Sequence, residues 1–119
     1  MSDAQTGLIL TELPGDERRS HRRYSLRAPG LVADLGGVYD CVVADISVGG
    51  AMLEGTLPID AGAEVALGFD TLVGVVGTVV HRGEGFVGVR FSDDSAQRAR
   101  IQAWIARRLK AARRQENWA

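Results

Sequence analysis

The sequence predicts a small, mainly β domain, an antiparallel barrel in preference to a sandwich, followed by one C-terminal helix. Three observations predict it. From Ser25 onward the apolar residues come in short β-rich runs, and nearly every break between them carries Gly, Pro or Asp. The most apolar run contains Gly74 and Gly77, residues without a Cβ where a strand closing into a barrel must coil sharply. Near the end the spacing of apolar residues changes from that of a strand to that of a helix.

Taken in order, residues 1–16 are short of apolar periodicity and contain Pro14-Gly15, so they are expected to form a flexible arm that orders on contact. The segment "ERRSHRRYSLR", Glu17 to Arg27, follows, with five arginines in eleven positions. Strands are expected in "SLRAPGLVAD" (25–34), "GVYDCVVADIS" (37–47), "GAMLEG" (50–55), "AEVALGF" (63–69), "LVGVVGTVVHR" (72–82) and "FVGVRF" (86–91). The last two read as a hairpin with its turn near Arg82-Gly83-Glu84-Gly85.

Ile101, Trp104, Ile105, Leu109 and Ala112 recur at helical spacing, while Arg98, Arg100, Arg107, Lys110, Arg113 and Arg114 fill most of the remaining circumference. Ser92, Asp93 or Ser95 is expected to cap this helix, and its basic last turns suit the negative end of the helix dipole. Trp104 is the expected anchor into the core, with the helix over one opening or side of the barrel. Trp118 lies beyond the apolar stripe. The organisation expected is therefore an arm at 1–16, a barrel domain with its helix at 17–114 and a tail at 115–119.

Composition limits the function classes. A chain of 119 residues, 45% apolar and 24% charged, has room for one core and is neither wholly disordered nor fibrous. Cys41 is the only cysteine, which excludes an internal disulfide and points to a reducing compartment. The opening "MSDAQTGLILTEL" lacks a basic n-region, and no run approaches the roughly 20 apolar residues of a membrane span. A soluble, cytoplasmic protein without membrane insertion is the expectation. The formal net charge of −1 hides a strong asymmetry: residues 1–17 carry −4, 18–30 carry +5, 31–94 carry −8 and 95–119 carry +6. Two basic flanks thus bracket an acidic middle, and each requires its own explanation.

The segment with most chemical content is "DISVGG", Asp45 to Gly50. Period 2 places Asp45 and Ser47 on one face of the strand end, and Ile46 and Val48 on the other, where they can enter the core. Asp and Ser before Gly-Gly is also ordinary turn chemistry, in which the side chains bond nearby backbone N–H groups. Other patterns fail their context. "GEGFVG" fits GxGxxG but runs from a hairpin turn into a strand. His21, His81 and Cys41 lack metal-ligand spacing, so no metal is expected. Asp45, Ser47 and His81 lack a nucleophile elbow. No set of residues is suited to hydrolysis or group transfer, so neither enzymatic activity nor a cofactor is expected. Nucleic acid is disfavoured by the acidic middle and by Tyr24 as the single aromatic near the arginines. The basic helix face reads as solvated, with an acidic protein, nucleic acid or anionic lipid as alternatives.

Arg19 and Arg23 have the form RxxxR, and Asp45, Ser47 and Gly50 have the form DxSxxG. The order and separation of these motifs, with "GVRF" (Gly88 to Phe91) as a late strand and a C-terminal helix, resemble the PilZ domain family over about residues 17–114. The resemblance implies a six-stranded antiparallel barrel and a receptor for cyclic di-GMP. It implies Arg19 and Arg23 as clamps on guanine edges and phosphates, Asp45 as acceptor from guanine N–H groups and Ser47 as a donor. Gly50 would hold the loop open for close approach, and Arg18, Arg22 and Gly49 are further candidates. A guanidinium suits this ligand because it bonds N7 and O6 bidentately or lies flat on a ring. Signalling would then run in trans to an effector protein through an arginine arm ordered by the anion. A ligand-independent adaptor on the same barrel is the alternative.

Overall fold

The computed structural model describes residues 8–14 and 21–116. Arg18, Arg19 and Trp118 lie outside the described residues, as do the side chains of Ala112, Arg113 and Arg114. The elements are β1 (Thr11–Glu12), β2 (Tyr24–Asp34), β3 (Gly37–Ile46), β4 (Gly50–Glu54), β5 (Glu64–Phe69), β6 (Leu72–Gly83), β7 (Phe86–Phe91) and α1 (Ser95–Glu116). Strands β2 to β7 are the six expected ones, each end agreeing to within one residue.

These six close an antiparallel ring in the order β2-β3-β4-β7-β6-β5, and the ring is sealed where Gly30–Ala33 of β2 pair with Ala66–Phe69 of β5. Closure needs local coiling, which two glycines on β6 supply. Gly74 has φ +73° and sits where three steps of β6 (Leu72 to Val75) oppose two steps of β5 (Leu67 to Phe69), a bulge that bends the strand. Gly77 lies where β6 is shared between β5 and β7, and a Cβ there would fall 2.6 Å from the Arg90 carbonyl oxygen. The β6–β7 hairpin turns at Glu84-Gly85, within the expected segment, with φ +83° at Gly85.

The interior is filled by inward residues of all six strands of the ring, among them Val32, Val43, Ile46, Leu53, Leu67, Val79 and Val87, all 1% exposed or less. Leu57 and Ile59 from the β4–β5 connection bury themselves beside the β6–β7 hairpin, where Arg82 bonds the Ile59 carbonyl and Asp60. Helix α1 covers the opposite end, beside the β5–β6 turn. Its stripe is the expected one: Ile101, Trp104 and Ile105 are buried and Leu109 packs against them. The cap differs from the expectation. Asp94 accepts the Ala96 N–H, because in "SDDS" the residue immediately before the first helical turn takes that role.

Several polar contacts weld α1 to the barrel. Gln97, buried, bonds both N–H and C=O of Val76 at 2.9 Å, acting as a short extra strand partner. Trp104 meets the Phe69 ring edge-on at 5.1 Å and donates from Nε1 to Asp70 at 2.9 Å. Arg108 bonds the same Asp70 oxygen at 2.6 Å and lies 5.9 Å over the Trp104 ring.

Residues 8–14 correct the expectation of a free arm for that part of it. Leu8 and Leu10 are buried, Thr11 and Glu12 pair with Ser25 and Tyr24, and the Leu13 N–H donates to the Arg23 carbonyl at 2.8 Å. The segment is docked because burial of two leucines offsets the cost of ordering it.

Two outcomes follow from the α1 clamp. Trp104→Ala removes a fully buried ring and lowers the unfolding free energy by about 3–5 kcal/mol in urea titration. Partial burial raises the Asp70 pKa, but the hydrogen bonds from Arg108 and Trp104, the Arg108 charge and the Thr71 N–H outweigh it and hold the carboxyl below its ordinary range. A carboxyl lowered on folding stabilises above its unfolded value, about 3.9, and that contribution is lost as pH falls through the lower folded value. Asp70→Asn is therefore less stable than wild type at pH 7, and the gap narrows as melting curves are taken toward pH 3.

Candidate ligand-binding site

The site grows out of one irregularity in β3. Between Val43 and Asp45 this strand holds an extra residue against Leu53 and Met52 of β4, so Val43 and Ile46 both point inward although three positions apart. The bulge leaves Asp45 on the outer surface beside the strand end, opposite Ser25 of β2. Arg23, just before β2, crosses to it and forms an ion pair with its Oδ2, the two side chains being 29% and 15% exposed. Sequence separation hides this pair; the β2–β3 register creates it.

Ser47 lies in the turn that follows and is buried. Its Oγ accepts from the N–H groups of Gly49 at 3.1 Å and Gly50 at 3.2 Å, and its own N–H donates to the Gly50 carbonyl at 2.8 Å. The turn chemistry left open by the sequence is thus present. The hydroxyl proton is less committed, its nearest acceptor being the Gly50 carbonyl at 3.5 Å.

The two glycines have different reasons. A Cβ on Gly50 would stand 2.4 Å from the Val89 carbonyl oxygen, so glycine there lets β4 lie against β7. A Cβ on Gly49 would meet His21 Cδ2 at 2.9 Å, so glycine there admits the imidazole. Ile46 is fully buried, as expected, while Val48 is half-buried against the core.

These residues line an outward-facing cleft of about 440 Å³, together with His21, Met52, His81, Gly88 and Arg90. It therefore gathers Arg23, Asp45, Ser47, Gly49 and Gly50. Arg22 is separated from them: exposed and 3.8 Å from Glu12, it lines a neighbouring groove of about 290 Å³ with Tyr24, Val48, Ile105 and Leu109. His81 and Arg90 had not been singled out as binding residues. The ladder sets Arg90 between Gly50 and Thr78, and Gly88 beside His81. A signal for Arg90 was present, since Arg82 and Arg90 are the only cations in the acidic stretch 31–94 and Arg90 alternates outward between Val89 and Phe91.

The charge of the cleft is informative. Arg23 and Asp45 neutralise each other, which leaves Arg90 as the uncompensated formal charge among the described lining residues. Among the described residues no group of three His, Cys, Asp or Glu side chains could hold a metal ion. Burial, with the nearby Asp40 charge, pushes the Cys41 thiol up to about 11, so it stays protonated as a small core group.

A family model described as the PilZ domain matches residues 17–107. The chain belongs to the PilZ domain family. Two solved structures share its PilZ fold. The PilZ domain of CeSA from a cellulose-synthesizing bacterium is 21% identical, with a TM-score of 0.56 over 64% of this chain and 86% of that one. The MrkH–c-di-GMP complex of K. pneumonia is 19% identical, with a TM-score of 0.61 over 82% of this chain and 54% of that one. This chain thus spans about half of MrkH. A comparison with curated proteins finds no match.

Gly50→Ala tests the packing account of the second motif. The obstructing atom is backbone and cannot rotate away, so the substitution lowers the unfolding free energy by about 1–3 kcal/mol in the ligand-free protein. Urea titration without any nucleotide measures it.

Proposed function

We propose that the cleft is a cyclic di-GMP receptor site. The single observation that carries the reading is the convergence of Arg23 with Asp45 and the Ser47–Gly50 turn on one open cleft, in a chain of the PilZ family. MrkH, a solved neighbour of the same fold, is described in complex with c-di-GMP, which supports the choice of ligand.

In this reading each group has a chemical task. Asp45, held by Arg23 through one oxygen, offers its other oxygen to guanine N–H donors. Arg23 presents its remaining N–H groups to N7 and O6 or stacks on the base. The Ser47 hydroxyl donates its proton. Because Arg23 and Asp45 cancel, the two phosphate charges are met by Arg90 and by arginines of the N-terminal segment, Arg18, Arg19 and Arg22. Clustered arginines repel one another until an anion arrives, so binding orders that segment and alters the surface read by an effector protein in trans. The output is a changed surface rather than a reaction product.

Calorimetry decides. Cyclic di-GMP is expected to saturate the protein near micromolar Kd, about −8 kcal/mol, while GMP at the same concentration gives no saturation. Arg19→Ala and Arg23→Ala each weaken binding more than tenfold. They differ in the free protein: Arg23→Ala lowers the melting temperature, because it strands a partly buried Asp45, and Arg19→Ala leaves it unchanged. Binding that survives both substitutions refutes the site. Absence of binding by cyclic di-GMP leaves the barrel as a ligand-independent adaptor whose motifs serve the fold.

A further inference from the structure

The face of the barrel opposite the cleft is unusually apolar. In the closed ring β2 stands three strands from β7, and β5 three from β4, so the outer surfaces of β2 and β5 look away from the β4–β7 side that carries the cleft. On that far side the ladders align Val38, Ala33, Ala66 and Val76 as one transverse row across β3, β2, β5 and β6. The neighbouring row brings Leu31 beside Gly68, which approaches Val73. Leu35, at the β2–β3 turn, is completely exposed.

Of the seven large apolar side chains exposed among the described residues, Leu31, Leu35, Val38, Val73 and Val76 belong to this one face. Outward positions of a water-facing antiparallel sheet ordinarily alternate to polar residues, and grouped apolar ones mark contact with another molecule. Beside the first row, on the side away from Leu31 and toward the β2–β3 turn and the start of β5, runs a groove of about 480 Å³, bounded by Ala33, Leu35, Ala63, Ala66 and Val76.

Charge selects the occupant. Asp34 and Glu64 line the groove, which has no cation in its lining, and Asp40 stands opposite Leu31 in the ladder. Glu12, Asp45, Glu54, Asp60, Asp70 and Asp93 each pair with an arginine; of the five carboxylates without a cationic partner among the described residues, Asp34, Asp40 and Glu64 lie on this face, and Glu84 and Asp94 lie elsewhere. Arg100 stands at the Val73 end, tied to the Val73 carbonyl at 2.5 Å. An apolar surface with uncompensated carboxylates repels an anionic membrane and a copy of itself, and it attracts a segment carrying apolar and cationic side chains together.

We propose that this face docks a partner protein through a short cationic, apolar segment, its aliphatic side chains covering Leu31, Ala33 and Val76 and its lysines or arginines meeting Asp34, Asp40 and Glu64. The proposal does not depend on what the opposite cleft binds.

The test uses the full chain labelled for NMR and two synthetic probes, an amphipathic peptide of alternating Leu and Lys and its Leu/Glu counterpart. The Leu/Lys peptide is expected to shift Leu31, Ala33, Val38 and Ala66 resonances saturably, and the Leu/Glu peptide to leave them in place. Glu64→Lys and, separately, the pair Leu31→Ser with Val38→Ser weaken that binding at least tenfold, while calorimetry with cyclic di-GMP is unchanged by either variant. All of these positions are on the surface, and an unaltered melting temperature verifies folding. Equal binding of both peptides, shifts confined to the cleft or α1, or affinity unaffected by Glu64→Lys overturns the proposal. So does sedimentation showing a dimer that Leu31→Ser dissociates, which would assign the face to a second copy.

Discussion

Closure of the sheet is the constraint on which everything else depends. Four residue pairs between β2 and β5 turn a ribbon of six strands into a ring, and β2 must serve β1, β3 and β5 along its length to make that closure. Its first half, bulged between Ser25 and Ala28, begins level with the end of β3, Tyr24 lying opposite Ile46, and this brings Arg23 within reach of Asp45. Closure also separates two outer faces, one lined by ionic and small residues and the other by aliphatic ones.

Much of the architecture was legible because its strands are short and punctuated. The runs from Ser25 to Phe91 end at residues whose backbone preferences oppose continuation, so boundaries follow from local chemistry. Strand β1 was missed, although "LIL" carried the signal: Leu8 and Leu10 turn inward and Ile9 is exposed, an alternation too brief to outweigh the polar residues and Pro14-Gly15 around it. The helix cap was misassigned for a different reason. "SDDS" offers four capping residues in a row, and only the position of the first helical turn selects Asp94.

The site was less legible than the fold. Local parity around Ile46 placed Asp45 outside correctly, but the Ala44 bulge that reconciles Val43 with Ile46 is a property of paired strands and leaves no mark in one strand's pattern. The roles of Gly49 and Gly50 likewise depend on neighbours from remote positions, His21 and Val89. Ser47 combines two readings that had stood as rivals, since its lone pairs build the turn while its proton stays nearly uncommitted. His81 and Arg90 join the cleft through the β6–β7 and β4–β7 registers, which sequence spacing alone does not specify.

The lone thiol of Cys41 has a practical corollary. Sealed inside the barrel and kept protonated, it is a poor target for maleimides and iodoacetamides while the protein is folded. The natural chain is accordingly its own silent background: a fluorophore or spin label attached through one added surface cysteine reports from that position alone, with no need to replace the native one.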